Sequence, residues 1–236
     1  PALPVKIQQI IETAKACFAA GAGGIHAHDR NADQHHVLDA GLYRELVTEL
    51  ARSVPEMAVQ ITTEAVGRYT PEEQRAVVRA VMPDMVSIAL REMIPDTDTG
   101  EAARFYAWAH EAQIAVQHII YGPDELDRLA GLVGQGVVPA ENLQLLFVLG
   151  RYAKDQESDP RDLQPFIDAL RMADISADWA ACAFGRNETA SLAAAFAAGG
   201  KARVGFENSL WNADGTVATD NAERVREIAA LQARSG

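Results

Sequence analysis

Two histidines separated by one residue are the strongest chemical signal in this chain. His26-Ala27-His28 falls in residues 24–28, a short run that reads as a β-strand. Side chains two apart on a strand point the same way, so both imidazoles face one side. Two neutral imidazoles on one face are a ready chelate for a divalent metal. The plainer alternative is a pair of loop histidines, each hydrogen-bonded to a neighbour.

A second polar run lies near the other end: Ala202-Arg203-Val204-Gly205-Phe206-Glu207-Asn208. In extended chain Arg203, Gly205 and Glu207 share one face, and Val204 and Phe206 turn toward the surrounding helices. A buried Arg and Glu are costly unless paired or coordinated. They read either as a core ion pair or as part of a site. Weaker polar positions mark other strand ends. Gln60, Thr62 and Glu64 alternate with Val59, Ile61 and Thr63. Ser87 and Arg91 mark another end, and Gln117, Tyr121 and Gly122 a third. Gly185-Arg186-Asn187-Glu188 opens a helix whose first N–H groups can hold an anion. The remaining candidates read as structure. His118 is a packed core histidine, and His35 and His36 are solvated loop residues. His110, Trp108 and Tyr106 serve packing or subunit contact. Glu223, Arg224 and Arg226 form a solvated helix face.

The elements that must position these groups alternate. Val5, Ile7, Ile10, Ile11, Ala14 and Phe18 recur at helical spacing, and Gly21 ends that helix. Thr70-Pro71-Glu72-Glu73 is a capping box with Pro at the first helical position. Asp159-Pro160 is another such start, and Gly199-Gly200 a stop. Strands are expected over 24–28, 58–63, 85–89, 114–121, 143–149, 179–183 and 202–206. Helices fall between them over 40–52, 70–82, 100–112, 124–135, 160–172 and 188–198, with a last one from 220. About seven strands alternating with about eight helices mean parallel βαβ units. The two candidates are a doubly wound sheet and a closed barrel. Eight helices call for eight strands, so the expectation is a single domain over 1–236, a (β/α)8 TIM barrel lacking its first N-terminal strand. Barrels carry their chemistry at the C-terminal ends of the strands. His26 and His28 would then end the second strand and Glu207 the eighth. Those strands flank the missing first, so the three tips can converge. Two His and one carboxylate with an open position make a catalytic metal site, most often for Zn2+.

Composition narrows the classes. The 236 residues are 48% hydrophobic and 23% charged, which is globular and rules out a disordered chain. Lys plus Arg is 21 and Asp plus Glu 33, a net charge of −12, which argues against a nucleic-acid or anionic-membrane surface. No apolar stretch is long enough to span a bilayer, and no signal core opens the chain. Cys17 and Cys182 lie far apart among small apolar residues, so a reducing, cytoplasmic setting is expected.

These residues also carry a family resemblance. Pro1-Ala2-Leu3-Pro4-Val5, Gly21 through Arg30 around His26-Ala27-His28, and Gln60-Ile61-Thr62-Thr63-Glu64 match in order. So do Leu146-Phe147-Val148-Leu149-Gly150, Gly185-Arg186-Asn187 and Arg203 through Asn208. Together they resemble the beta-keto acid cleavage enzymes of the 3-keto-5-aminohexanoate type. The resemblance implies a (β/α)8 barrel in a homo-oligomer, with Zn2+ held by His26, His28 and Glu207. It implies a retro-Claisen-type exchange in which a β-keto acid and acetyl-CoA give acetoacetate and a new acyl-CoA. Arg203 matches the family arginine beside the substrate, and Thr62 or Thr63 its hydroxyl-bearing residue. A substrate carboxylate would pair with Arg203 or Arg186, with Ser87 and Tyr121 as further lining. The family often has Asp after the ligand Glu; here Asn208 stands there and cannot be a base, which leaves Glu64, a metal-bound water or the substrate itself. Two other classes stay open: a barrel hydrolase of the amidohydrolase type, and a non-catalytic metal-binding homologue.

Overall fold

Each strand of the computed structural model pairs with its successor in the chain, and every pairing is parallel. The structure describes residues 3–96 and 98–235, so Pro1 and Ala2 of the opening motif lie outside the described residues. The strands are β1 Gly24–Ala27, β2 Ala58–Thr62, β3 Met85–Ala89, β4 Ala115–Ile120, β5 Gln144–Leu149, β6 Asp178–Ala183 and β7 Lys201–Ala202. The helices are α1 Ile7–Ala19, α2 Ala40–Ser53, α3 Pro71–Val81, α4 Leu90–Met93, α5 Gly100–Glu111, α6 Asp124–Gly134, α7 Leu163–Met172, α8 Glu188–Ala197 and α9 Asn221–Ser235. The sheet curls into a TIM-barrel-like half-barrel, seven strands long and one short of closure.

Local chemistry sets the element ends. α3 starts where expected. The Thr70 hydroxyl accepts the Glu73 N–H at 3.2 Å, and the Glu73 carboxylate accepts the Thr70 N–H at 2.8 Å. α2 starts on Asp39, which accepts from the N–H groups of Gly41 and Leu42. These caps satisfy N–H donors that have no partner inside the helix.

Alternation along the strands separates two apolar layers. Leu145, Phe147, Leu149, Ala181 and Ala183 pack outward against the helices, where Phe147 meets Phe166 and Trp179 at 5.1 and 5.2 Å. Leu146, Val148, Ala180 and Cys182 form a smaller inner cluster with Ile119 and Phe184. The inner wall of β1, β2 and β4 is polar instead, carrying His26, Gln60 and Gln117. Register sets His26 beside Gln60. A cavity of about 1020 Å³ opens against this wall and extends between β1 and β7 as far as α1 and α9.

Two expectations need correction. The last strand stops at Ala202, so Arg203 through Glu207 are not a strand face; residues 205–208 form a turn. Arg224 is not on a solvated face. It is wholly buried with Glu188, because α9 turns this side chain under the N-terminus of α8. Glu223 and Arg226 do lie outward of it. Among the described residues no helix is long and apolar enough to cross a membrane.

Candidate metal and substrate site

His26 lies on β1 and His28 one step past its end, and their rings meet edge to face at 5.0 Å. Their Nε2 atoms are 3.0 Å apart, and His28 Nε2 is 3.5 Å from Glu207 Oε1. One ligand atom from each of the three residues lies within 4.8 Å of the others. Tetrahedral ligands at zinc-like bond lengths stand about 3.3 Å apart, so this donor set fits such an ion with small adjustments.

The groups behind the imidazoles settle which nitrogens face inward. His26 Nδ1–H donates to Gln60 Oε1 at 2.8 Å, and Gln60 Nε2 donates in turn to Gln117 Oε1 at 3.3 Å. That leaves the His26 Nε2 lone pair directed at His28 Nε2, 3.0 Å away. Burial, reinforced by the Arg203 charge, holds His26 well below the usual imidazole range, so it is neutral. His28 Nδ1 stands 3.7 Å from Glu64 Oε2. Burial raises the Glu207 carboxyl, but the Arg203 charge and the hydrogen bond from His28 outweigh it and hold the group well below the usual carboxylate range. A neutral imidazole and an ionised carboxylate are the states a cation requires.

Arg203 lines the same cavity. Its Nη2 lies 3.9 Å from Glu207 Oε1 and 3.6 Å from Cys182 Sγ. Its Nε and Nη1 are buried without a hydrogen-bond partner, and so is Asn208 Nδ2. Buried unpaired donors are rare. Arg203 and Asn208 both line this cavity, so the unmatched donors lie at its wall. Glu64 and Tyr121 complete this wall, and the Arg91 guanidinium covers the Tyr121 ring at 4.5 Å.

Other predicted positions lie apart from the cavity wall. Thr62, Thr63 and Ser87 are fully buried. The Ser87 hydroxyl donates to Thr62 Oγ1 and the Thr63 hydroxyl to the Ser87 carbonyl. Arg186 is exposed and its guanidinium lies over the Trp211 ring at 3.5 Å. His118 is buried on the outer face against Tyr106, away from the other histidines. His36 corrects the expectation of a solvated loop residue. It is buried, its ring stacks edge to face on His28 at 5.0 Å, and its Nε2 bonds the Glu64 carbonyl at 2.9 Å. Asp29 is a further buried neighbour whose carboxyl burial pushes up to about 7. Its only sequence signal is adjacency to His28.

A family model for beta-keto acid cleavage enzymes matches residues 1–236. The chain belongs to that family. Among curated beta-keto acid cleavage relatives, the 3-oxoadipate:acetyl-CoA acetyltransferase of Cupriavidus necator is 24% identical over 98% of this chain and 82% of its own length. The 3-keto-5-aminohexanoate cleavage enzyme of Acetoanaerobium sticklandii is also 24% identical, over 100% of this chain and 86% of its own length. A solved ternary complex of ObcA with a C4-CoA adduct and oxalate aligns with TM-score 0.77 at 15% identity, over 99% of this chain. This family member spans only 64% of that ObcA chain, and the likeness concerns the fold.

Proposed function

We propose that this chain is a zinc-dependent beta-keto acid cleavage enzyme, exchanging acyl groups between a β-keto acid and acetyl-CoA. The observation that carries the reading is one cavity wall. A three-residue donor set for a divalent ion, His26, His28 and Glu207, adjoins the partnerless donors of Arg203 and Asn208. The names of the relatives, which include acetyl-CoA acetyltransferase, support the reaction class.

Bound Zn2+ supplies Lewis acidity for negative charge developing on a keto oxygen. The chain does the rest. Arg203 Nε and Nη1 take the substrate carboxylate, and Asn208 Nδ2 adds a neutral donor. This fixes the carbon between the two carbonyls against the wall. Of the carboxylates on that wall, Glu207 serves as ligand, so Glu64 accepts the proton from that carbon. The resulting carbanion bonds to the acetyl carbonyl, and CoA leaves as thiolate. The thiolate takes the original acyl group as the old carbon–carbon bond breaks. Glu64 returns the proton, giving acetoacetate and the new acyl-CoA. Tyr121 borders the acyl side chain, while Thr62, Thr63 and Ser87 form the buried layer beneath the wall and the exposed Arg186 offers a cation for CoA phosphates. The free, buried thiols of Cys17 and Cys182 fit a reducing cytoplasm, and the assembly is a homo-oligomer as the resemblance implies.

The test combines metal analysis with an acetyl-CoA assay over a panel of β-keto acids. Wild type should hold about one zinc per chain and form acetoacetate only with acetyl-CoA present; His26→Ala and Glu207→Gln should lose both. Hydrolysis without CoA, or zinc binding with no turnover on any panel member, overturns the proposal.

A further inference from the structure

Glu207 is carried by a turn that no strand supports. The Arg203 N–H makes the last bond to the neighbouring strand, to Ala181 O at 2.8 Å. Within the turn the N–H groups of Asn208 and Ser209 both donate to the Gly205 carbonyl, at 2.9 and 3.1 Å. The direction of the Glu207 side chain therefore depends on what grips the turn from outside.

Two helix N-termini grip it. The Phe206 N–H donates to Asn221 Oδ1 at 2.8 Å, from the first residue of α9. The Gly205 N–H points to Glu188 Oε1 at 3.4 Å, from the first residue of α8. The Asn208 carbonyl accepts from the Gly185 N–H at 3.2 Å, just before α8. The fit is close, since a Cβ on Gly205 would come 2.9 Å from Asn221 Oδ1, and the residue's φ is +150°.

Glu188 cannot swing away. It and Arg224 are 0% exposed, and Arg224 Nε and Nη2 reach Glu188 Oε2 at 3.3 and 2.8 Å. Nη2 also reaches Thr189 Oγ1 at 2.9 Å, while Nη1 reaches Asn212 Oδ1 at 3.2 Å and the Glu227 carboxylate. These five bonds match the five N–H donors of a guanidinium. A buried ion pair is seldom a net source of stability. What this one supplies is a fixed anchor behind the turn.

We propose that Asn221 and the Glu188–Arg224 pair are positioning residues for the metal centre, holding turn 205–208 so that the Glu207 carboxylate meets the two imidazoles. This rests on the metal reading of His26, His28 and Glu207. Outer-shell groups of this kind change metal affinity by about 10- to 100-fold when removed.

The experiment titrates the whole chain with Zn2+ against a competing chromophoric chelator, in wild type, Asn221→Ala and Asn221→Asp. Asp220 accepts the Glu223 N–H at 2.8 Å, so α9 keeps its cap in every variant. Asn221→Ala should bind Zn2+ about 10- to 100-fold more weakly. Asn221→Asp keeps an acceptor for the Phe206 N–H and should restore at least wild-type affinity. Circular dichroism reports folding; should Asn221→Ala unfold, Asn221→Ser, whose hydroxyl falls short of that N–H, takes its place. Equal affinity in all variants overturns the positioning role, as does equal loss in the Ala and Asp variants, which marks a general packing defect. A wild type that holds no Zn2+ is a different failure, that of the metal reading itself.

Discussion

Gln60 Oε1 lies 2.8 Å from His26 Nδ1, and Gln117 Oε1 fixes the other end of the same amide at 3.3 Å. This relay joins β1, β2 and β4 on the inner wall and decides the His26 tautomer. Without it the proton could sit on Nε2, the nitrogen facing Glu207 and His28. Gln60→Leu should therefore weaken Zn2+ binding by about 10-fold or more while the fold persists. Chelator competition together with far-ultraviolet circular dichroism checks this. Unchanged affinity in the folded variant would mean that the relay does not set the tautomer.

The second prediction concerns charge beside Arg203. Asn208 is 8% exposed with a partnerless Nδ2, so it adds a donor without neutralising the guanidinium. Asn208→Asp would give Arg203 an internal carboxylate that competes with the substrate's. KM for the β-keto acid should rise about 10-fold, roughly 1.4 kcal/mol, with Zn2+ affinity little changed. Steady-state kinetics at saturating acetyl-CoA measure it. A gain in kcat instead would identify position 208 as the place for a base.

The legible and illegible parts of this molecule divide by range. Strand and helix alternation, the Thr70–Glu73 cap and the shared face of His26 and His28 depend on neighbours within a few residues, so local pattern is enough. The route to Glu207 is different. Alternation over 203–207 put Arg203 and Glu207 on one strand face, yet the strand ends at Ala202 and a turn brings the two side chains to 3.9 Å. That turn depends on Glu188 and Asn221, which are distant in sequence. His36 looked solvated because its loop is polar. An antiparallel bridge between Arg30 and His36 folds the loop back and lays the ring on His28. Arg224 looked like surface because its partner Glu188 is 36 residues away. A helix face carries no mark of what packs on it.

His118 sets a prediction for acid stability. It is 2% exposed, its Nδ1 has no partner, and burial pushes its pKa down to about 4 from an ordinary 6.5. Above about pH 6.5 both folded and unfolded chains keep it neutral, and its contribution is whole. As pH falls from 6.5 toward 4, the unfolded chain takes a proton that the folded chain refuses, and stability is lost. By pH 4.5 the loss from this group is about 2–3 kcal/mol. His118→Phe should remove it. Urea unfolding at pH 7 and pH 4.5 should give a smaller difference for the variant, and an identical difference would show that the native ring is protonated.

The last prediction isolates Glu64. Its Oε2 is 3.7 Å from His28 Nδ1, and its carboxylate stands on the cavity wall. It could act in two ways, by orienting the His28 ring or by accepting the substrate proton, and these separate in kinetics. Glu64→Gln keeps the size and an acceptor oxygen toward His28 Nδ1, but an amide cannot take a proton near neutral pH. An orienting role would then survive largely intact, with metal content and kcat near those of wild type. A base role would be lost, lowering kcat by about 100- to 10,000-fold with zinc content and KM nearly unchanged. Exchange of the β-keto acid's C2 hydrogens with deuterated water, followed without acetyl-CoA, sharpens the distinction because it reports proton removal alone. Exchange in wild type and its loss in Glu64→Gln would assign the proton to this carboxylate. Persistent exchange in the variant would move the base to the substrate's own carboxylate or to water.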